Sequence, residues 1–436
     1  MHKIIRVVAA TAGLALLTTA CGGGGATSAG GATATDTAST STSASPTPSE
    51  SGAPVRGNAD LVIWTDNLKV AAVKKVADEF AKVNGITAQT QVISGDLQAA
   101  FITANTAGNG PDVVVGAHDW IGNMVQNGAI DPLQLTPEQL GGYSKQSVAA
   151  TTYDAQLYGL PYGVEAVALY RNTGIVPKAP ATLDEAFDQG RAAVKSGKVQ
   201  SALNLQQGEL GDAYHMQALY TSLGGYVFKR GANGTFDPKQ LGVGGEGSIK
   251  AAQRIAKLGE KGDGILRRSI SGDNSIALFS EGKAAFLISG PWALNDIKKS
   301  KVKYAISPIP GFKGAGPAIP FGGVQAFFVA SKGKNKTFAQ EFVTNGANSE
   351  TSMRTMYDGA QLPPAMTAVR DAVKGDQPDA EMFAQAFEAA DPMPAIPQMA
   401  AVFAPLGKAY AAIIGGADPV KTMQSVGKTL SSELSG

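Results

Sequence analysis

Residues 61–120 have the sequence LVIWTDNLKVAAVKKVADEFAKVNGITAQTQVISGDLQAAFITANTAGNGPDVVVGAHDW, in which short apolar runs alternate with amphipathic segments. Residues 61–64 and 113–115 are continuous apolar runs, which are typical of strands covered on both faces. Residues 73–80 and 97–104 carry apolar side chains at helical spacing, and an alternating strand pattern lies between them. This order predicts a βαβαβ unit whose strands form a parallel sheet with right-handed crossovers.

The same alternation continues toward the C-terminus, so the whole chain is predicted to be α/β. Ligands of open parallel sheets bind beyond the carboxyl ends of the strands. Residues 66–69 and 116–120 follow two predicted strands and are therefore the first candidates for a binding site. Further helices are predicted near 182–185, where the spacing is that of a capping box, and near 212–223, 248–260, 275–282, 337–347 and 408–415, with strands near 284–288, 303–306 and 325–330.

The N-terminus has the features of an export signal. Lys3 and Arg6 precede an apolar run at residues 7–17, and small residues lead to Cys21, which is the single cysteine of the chain. The segment resembles a bacterial lipoprotein signal, in which the cysteine is acylated and becomes the first mature residue. The alternative, a chance cysteine in a transmembrane anchor, fits less well because spanning a bilayer takes ~20 apolar residues. We expect a signal peptide at 1–20, lipidation of Cys21, and location on the extracytoplasmic face of the cell membrane.

The segment after the cysteine lacks large apolar side chains. Residues 22–58 are mostly Gly, Ala, Ser, Thr and Pro, with Val55 as an exception. Such a segment cannot bury enough surface to offset its ordering entropy, so residues 21–58 are predicted to be a flexible tether.

Composition narrows the class of ligand. The formal net charge is +1, and it becomes −1 without residues 1–20, which contain two basic residues and no acidic one. A near-neutral chain without a basic block argues against nucleic acid as a partner. The remaining length is enough for two domains of ~100 to 200 residues each. We expect a small ligand that is neutral or bound by local chemistry.

Most signatures of enzymes and cofactors are missing from the sequence. Beyond the signal peptide only His118 and His215 remain, about a hundred residues apart, and this excludes the common zinc spacings. Each histidine is expected to be structural, and no metal or cofactor is predicted. Residues 242–247 match Gly-x-Gly-x-x-Gly, but no buried strand precedes them, so a tight turn is favoured over a nucleotide site.

Two carboxylates, Asp119 and Glu165, lie near predicted strand ends beside aromatic residues. Paired carboxylates can hydrolyse a glycosidic bond by acid–base catalysis. They can equally accept hydrogen bonds from sugar hydroxyl groups while a neighbouring ring stacks on the sugar, and a structural salt bridge is a third possibility for either one. Trp64 is predicted to be core; core positions are also the ordinary expectation for Trp120, Tyr214, Trp292 and Phe403.

Eight short segments together resemble a known family. They are Leu61-Val62-Ile63-Trp64, Gly110-Pro111-Asp112-Val113-Val114, Ala117-His118-Asp119, Val164-Glu165-Ala166, Asn204-Leu205-Gln206, Gly224-Gly225-Tyr226, Gly290-Pro291-Trp292-Ala293 and Ile396-Pro397-Gln398-Met399. The same segments occur in this order in the maltose/maltodextrin-binding proteins, so the sequence resembles this family of solute-binding proteins of ABC importers from residue 60 to the C-terminus.

The resemblance implies a two-lobed periplasmic-binding-protein fold of type II, with the ligand cleft between the lobes. The implied N-terminal lobe comprises residues 60–165 and 321–372, and the C-terminal lobe comprises residues 166–320 and 373–436. The residues carried over as ligand-binding are Asp66, Lys69, Gln98, Asp119, Trp120, Glu165, Tyr214, Trp292 and Phe403, of which Tyr214 aligns only if residues 207–212 are an insertion.

The chain departs from the family pattern at several of these positions. Gly116 stands where well-known members carry tryptophan, and Trp120 stands where they carry arginine. Trp120 can therefore restore the ring that Gly116 lacks, from a new direction. Gln98 stands where an acid is common, and Gly407 replaces an arginine. These departures bear on the particular sugar and on the preferred chain length.

The function implied is that of a monomeric lipoprotein that captures an α-glucoside oligosaccharide and delivers it to the membrane subunits of an ABC permease. Maltose or maltodextrin is the expected ligand. A secreted glycoside hydrolase that uses Asp119 and Glu165 is the main alternative, and a surface adhesin or scaffold is a third.

Overall fold

The computed structural model describes residues 54–231 and 235–434, so Cys21, the predicted signal peptide and most of the predicted tether lie outside the described residues. The strands are β1 (Leu61–Thr65), β2 (Ala88–Val92), β3 (Val113–Ala117), β4 (Ile130–Asp131), β5 (Thr152–Tyr153), β6 (Gln156–Leu157), β7 (Gly159–Ala166), β8 (Ala168–Asn172), β9 (Ser201–Leu205), β10 (Phe228–Arg230), β11 (Phe236–Leu241), β12 (Ala284–Ser289), β13 (Tyr304–Ser307), β14 (Phe321–Ala330) and β15 (Asp391–Pro392).

The α-helices pack on both faces of the two main sheets. They are α1 (Val70–Asn84), α2 (Leu97–Thr106), α3 (Ile121–Gln126), α4 (Pro137–Gly141), α5 (Lys145–Ala150), α6 (Leu183–Lys195), α7 (Ala213–Ser222), α8 (Glu246–Leu258), α9 (Ser275–Ser280), α10 (Leu294–Lys299), α11 (Lys336–Glu341), α12 (Glu350–Ala360), α13 (Thr367–Lys374), α14 (Pro378–Glu388), α15 (Phe403–Ile414) and α16 (Pro419–Glu433). None of these described helices is both long enough and apolar enough to cross a bilayer.

The first main sheet contains the predicted βαβαβ unit. β1 pairs in parallel with β2 and with β3, and the strand order is β15-β14-β3-β1-β2. β14 runs antiparallel to β3 and pairs along most of its length with β7. All five residues of β1 are buried, including Trp64, which confirms that Trp64 is core. The sheet is mixed because β14 enters it from the opposite direction.

The second main sheet has the order β13-β8-β12-β9 and its own hydrophobic core. The chain reaches it directly from the first sheet, because β7 ends at Ala166 and β8 begins at Ala168. The chain returns to the first sheet at Phe321, the first residue of β14. Two α/β bodies with chain crossings between them form the two-lobed type II fold that the sequence predicts.

The lobe boundaries at residues 165, 320 and 372 stay predictions, because strand pairing defines sheets and not rigid bodies. After residue 372, β15 still pairs with β14 in the first sheet. The helices that follow it, α15 and α16, pack instead on α7 and α8 in the core of the second sheet.

A buried ion pair marks the beginning of the folded body. Arg56 Nη2 donates to Asp112 Oδ2 at 2.6 Å, and the two side chains are 5% and 0% exposed. The same oxygen of Asp112 accepts from the Val62 amide at 2.8 Å, and Asp112 Oδ1 accepts from the Asn335 amide at 3.0 Å. The body therefore begins before residue 58, within the last residues of the predicted tether.

The glycine-rich segment at residues 242–247 forms a tight turn. It follows β11, which among the described residues pairs with β10 and with no strand of either main sheet. Gly244 adopts a φ of 87°, and α8 begins two residues later. The arrangement lacks the buried parallel strand of a dinucleotide site, as the sequence predicts.

Candidate functional site

An aspartate and a lysine follow β1 and begin α1. Asp66 Oδ1 accepts from the amides of Leu68 (2.9 Å) and Lys69 (3.2 Å), and its other oxygen pairs with the Lys69 ammonium group. Lys69 is 7% exposed, so its charge is held at the carboxyl end of the first sheet by a carboxylate that is itself partly exposed.

Asp119 lies in the 3₁₀ turn His118–Trp120, directly after β3. Its Oδ1 atom is buried and has no hydrogen-bond partner among the described residues. Burial, with a contribution from the neighbouring Glu165, raises the pKa of Asp119 to about 7. An unsatisfied buried oxygen of this kind costs ~1 to 3 kcal/mol, so the position favours a ligand that donates a hydrogen bond.

Glu165 lies on β7 where the chain leaves the first sheet. Its side chain accepts from Gln325 Nε2 on β14 at 3.0 Å. A Cβ at Gly323 would lie 2.7 Å from Glu165 Oε1, so the carboxylate lies over β14 only because residue 323 has no side chain. Burial raises the pKa of Glu165, although the Gln325 bond and the nearby Lys69 oppose the rise.

His118 has a structural role. It is fully buried; its Nδ1 atom accepts from the Val324 amide at 3.0 Å, and Nε2 donates to the Met393 carbonyl at 3.1 Å. Burial lowers the pKa of His118 to about 4, so the ring stays neutral. It joins the turn after β3 to β14 and to the segment after β15.

Four aromatic rings of the described residues form a cluster around Tyr214. The ring centroid of Tyr214 lies 6.2 Å from that of Trp292 and 6.2 Å from that of Phe321, and Phe321 lies 6.3 Å from Phe403. The buried hydroxyl group of Tyr214 has no partner among the described residues. Three of these rings were predicted from sequence, whereas Phe321 was missed because the predicted strand began only at residue 325.

Two tryptophans occupy space that neighbouring glycines leave free. A Cβ at Gly116 would lie 2.0 Å from Trp120 Cζ3, and a Cβ at Gly290 would lie 2.1 Å from Trp292 Cζ3. Each tryptophan belongs to a 3₁₀ turn that directly follows a strand of one main sheet, β3 or β12. The ring of Trp120 therefore lies directly on the backbone of Gly116.

Tyr214 lies within electrostatic range of three carboxylates. Burial raises the pKa of Tyr214 well above its ordinary value, and the carboxylates Glu165, Asp212 and Asp119 add to the rise. Tyr214 is therefore close to acids from both sides. Gln98 lies partly buried on the first turn of α2, and no hydrogen bond of the described residues links it to the other candidates.

The described residues contain no cluster of side chains that could hold a metal ion. Within 54–231 and 235–434, no three His, Cys, Asp or Glu side chains are grouped as metal ligands.

A cavity of about 730 Å³ lies away from the candidate residues, between side chains that include Gln146, Asp154 and Glu388. Its lining shares His118 with the turn after β3 but contains none of the predicted ligand-binding residues.

Comparison with known proteins gives a consistent family. The profile described as "Bacterial extracellular solute-binding protein" matches residues 75–384. A galactooligosaccharide-binding protein of Bacillus subtilis is 26% identical over 384 residues, which is 86% of this chain and 90% of the relative. A maltodextrin-binding protein of the same organism is 30% identical over 341 residues, or 76% and 79% of the two chains. A maltooligosaccharide ABC transporter solute-binding lipoprotein of Streptococcus pneumoniae is 28% identical over 384 residues, or 86% and 88%.

Proposed function

Because this chain belongs to the bacterial extracellular solute-binding proteins, we propose that it captures an oligosaccharide outside the cell and delivers it to the membrane subunits of an ABC importer. The names of its relatives, which bind galactooligosaccharides, maltodextrins and maltooligosaccharides, support a sugar as the ligand. One of these relatives is named a lipoprotein, which supports the prediction of an anchor at Cys21.

One observation carries the proposal: buried polar atoms in and beside the candidate residues have no hydrogen-bond partners among the described residues. Asp119 Oδ1, Gln325 Oε1 and the hydroxyl group of Tyr214 all lack hydrogen-bond partners among the described residues. A sugar offers hydroxyl groups that would satisfy these atoms, and its apolar face would stack on a ring. Hydrogen bonds to an ionised carboxylate are roughly twice as strong as neutral ones, so Glu165 would orient the ligand.

We propose an α-glucoside, with maltose or maltodextrin first, as the class of sugar. The support is the match of Lys69, Asp119, Glu165 and Trp292 to the family pattern, together with the two maltodextrin-type relatives. A galactooligosaccharide is the main competitor, because one relative of similar coverage is named for it.

Titration calorimetry with maltose, maltotriose, trehalose, cellobiose and a β-linked galactotriose tests both the sugar-binding function and the α-glucoside class. We expect stoichiometric binding of maltose or maltotriose and no binding of cellobiose. Binding of galactotriose alone would overturn the α-glucoside class but keep the sugar-binding function. Binding of none of these sugars would overturn the proposed function.

A glycoside hydrolase is the second candidate, because Asp119 has the raised pKa that a general acid needs and lies near a second carboxylate. The family and the relatives are binding proteins, which favours the receptor. Prolonged incubation with maltotriose, followed by chromatography of the sugar, distinguishes the two functions. The receptor returns the trisaccharide intact, whereas a hydrolase releases glucose or maltose.

We also propose that the protein works as a lipid-anchored monomer on the extracytoplasmic face. Replacing Cys21 with serine should release it from the membrane fraction into the medium, because one acylation site would supply the whole anchor. Retention of the variant in the membrane fraction would contradict this anchoring.

A further inference from the structure

Residues 207–212, which have to be an insertion if Tyr214 is to align with the family, are hydrogen-bonded to residues 268–270. The amides of Gln207 and Gly208 both donate to the Ile270 carbonyl, at 2.8 and 2.9 Å. Glu209 accepts from Arg268 Nη1 at 3.1 Å. The segment is therefore a fixed loop, which we call the 207–212 loop, and it leads directly into α7.

The 207–212 loop also contacts α15 through two glycines. Gly211 has a φ of 73°, and a Cβ there would lie 1.7 Å from the Gly407 carbonyl oxygen. A Cβ at Gly407 would in turn lie 3.1 Å from the Gly211 oxygen. The close approach of the 207–212 loop therefore depends on the absence of a side chain at residue 407, because the loop backbone occupies the space beside α15.

The loop ends in an aspartate that orients a histidine. Asp212 Oδ1 accepts from the His215 amide at 2.9 Å and begins α7 as its N-cap. Asp212 Oδ2 contacts His215 Nδ1 at 2.8 Å and accepts from Gln206 Nε2 at 2.7 Å. Burial tends to raise the pKa of Asp212, but His215 and these hydrogen bonds outweigh burial and lower it.

The tautomer of His215 follows from this geometry. An ionised carboxylate can only accept, so Nδ1 of His215 carries the proton that points to Asp212. In the neutral ring, Nε2 is then a hydrogen-bond acceptor. No hydrogen bond of the described residues occupies this Nε2 atom. His118 differs, because both of its ring nitrogens are bonded to the backbone.

The ring of His215 lies among the residues of the candidate site. It is 6% exposed and packs edge-on against Tyr214 (5.5 Å) and Trp292 (6.0 Å), the two rings of the aromatic cluster nearest to it. Nε2 is therefore an unused acceptor on a ring that packs beside Tyr214 and Trp292.

We propose that His215, oriented by Asp212, contacts the ligand and helps to determine specificity, with Nε2 accepting a hydrogen bond from a sugar hydroxyl group. The inference rests on the proposed function. The ligand hydroxyl group that it recognises lies on the sugar ring that packs beside Tyr214 and Trp292. Asp212 acts through His215 and is a positioning residue.

Nitrogen NMR of the mature chain, from Cys21 onward and labelled at histidine, tests the tautomer directly, because only His118 and His215 are present. Without sugar, His215 should carry its proton on Nδ1 and His118 on Nε2. Adding maltotriose, or galactotriose if only that sugar binds, should shift the Nε2 resonance of His215. The resonances of His118 should stay in place and serve as the internal control.

Binding measurements on variants complete the test. His215→Ala should weaken sugar binding by about tenfold, the value of one well-formed hydrogen bond. Asp212→Asn keeps the helix cap, since asparagine and aspartate cap equally well, but its amide can donate to Nδ1 and move the ring proton to Nε2. It should therefore melt at a somewhat lower temperature, because the amide cannot accept from Gln206 Nε2, but it should stay folded and bind about as weakly as His215→Ala. Leu210→Ala, at a 72% exposed position of the same loop, is the control and should bind normally.

The outcomes separate the inference from the function on which it rests. If the Nε2 resonance of His215 does not shift when sugar is added, or if both His215→Ala and Asp212→Asn bind sugar with normal affinity, the role of His215 is overturned and sugar binding is left intact. If His215→Ala fails to fold, the affinity of Asp212→Asn and the Nε2 resonance of His215 decide whether His215 contacts the ligand. If the protein without substitutions binds none of the sugars, both the proposed function and the inference about His215 are overturned.

Discussion

Asp119 shows how a single residue links the site to the stability of the chain. Its pKa lies at about 7 in the folded protein and near 4 in the unfolded chain, because folding buries the carboxyl group without a hydrogen-bond partner for Oδ1. A group whose pKa is raised on folding binds its proton more tightly in the folded state. The stability that Asp119 contributes is therefore present in full below its pKa in the unfolded chain, and it is lost as the pH rises to its pKa in the folded protein.

We therefore expect the sugar-free protein to lose stability as the pH rises from about 4 to about 7, by on the order of 4 kcal/mol from Asp119. Asp119→Asn should remove most of this slope in melts recorded across the range. Glu138→Gln, at an exposed position of α4, is the control and should keep it. An unchanged slope in Asp119→Asn would contradict the raised pKa.

Trp292→Ala should weaken sugar binding more than it lowers the melting temperature. A ring that stacks on sugar is covered mainly in the complex, and truncating an aromatic residue at a binding centre costs ~2 kcal/mol or more, about a thirty-fold change in affinity. Trp64→Ala is the matched control, because Trp64 is fully buried in β1. It should cost ~3 to 5 kcal/mol of stability and keep the affinity of whatever remains folded. The opposite pattern would place Trp292 in the core.

Trp120→Ala should also reduce affinity, because its ring covers Gly116 at the carboxyl end of β3 and belongs to the same turn as Asp119. Gly116→Ala should have a similar effect with the ring still present, because a methyl group there would lie 2.0 Å from Trp120 Cζ3 and displace it. Gly141→Ala, where a Cβ would meet nothing within 4 Å, should bind normally. Normal titrations of both Trp120→Ala and Gly116→Ala would make Trp120 a packing residue.

At the level of elements, the contact between the 207–212 loop and α15 depends on two backbones lying directly on each other. Gly211→Ala places a methyl group 1.7 Å from the Gly407 oxygen at a left-handed φ, so it combines strain with a clash. Gly85→Ala is the control for strain alone, because Gly85 has a φ of 65° and open space around its Cα.

We expect Gly85→Ala to cost ~1 to 2 kcal/mol of stability and to leave sugar binding unchanged. Gly211→Ala should cost more and should also weaken sugar binding, because the loop positions Asp212 and through it His215. Thermal melts and calorimetry on the two variants measure both effects. Equal stability losses would show that the loop has room to move away from α15.

At the level of the whole molecule, Arg56 and Asp112 determine where the folded body begins. Removing one partner of a buried ion pair costs ~3 to 5 kcal/mol, because the other charge stays buried without compensation. Deleting residues 22–53 should leave both the melting temperature and sugar affinity unchanged, since the pair remains. Deleting residues 22–56 should lower the melting temperature markedly, and Arg56→Ala in the full chain should reproduce the loss. Equal melts for the two deletions would contradict the role of this pair.

Local sequence was sufficient for much of the fold. β1, β3 and the helices between them follow from apolar periodicity within a few residues. Thr182 is the N-cap of α6, and its Oγ1 accepts from the Glu185 amide at 3.1 Å, but the Glu185 carboxylate accepts from the Ala181 amide, so only half of the predicted capping box forms. The resemblance to solute-binding proteins extended this to the two-lobed fold, because ordered motifs carry information that periodicity lacks. For the same reason, the resemblance could name Asp119, Glu165 and Trp292 as candidate ligand-binding residues.

The remaining features depend on contacts between residues far apart in the chain. Gln325 lies 160 positions from Glu165, and His118 lies 206 positions from Val324, so no local pattern predicts either hydrogen bond. The ring of Trp120 over Gly116 depends on the direction in which the turn after β3 presents it. Sequence periodicity determined which segments became strands and helices, because those preferences act over a few neighbouring residues. Only packing of the two lobes determined which buried polar atoms were left without partners, because that depends on which residues the crossing strands bring together.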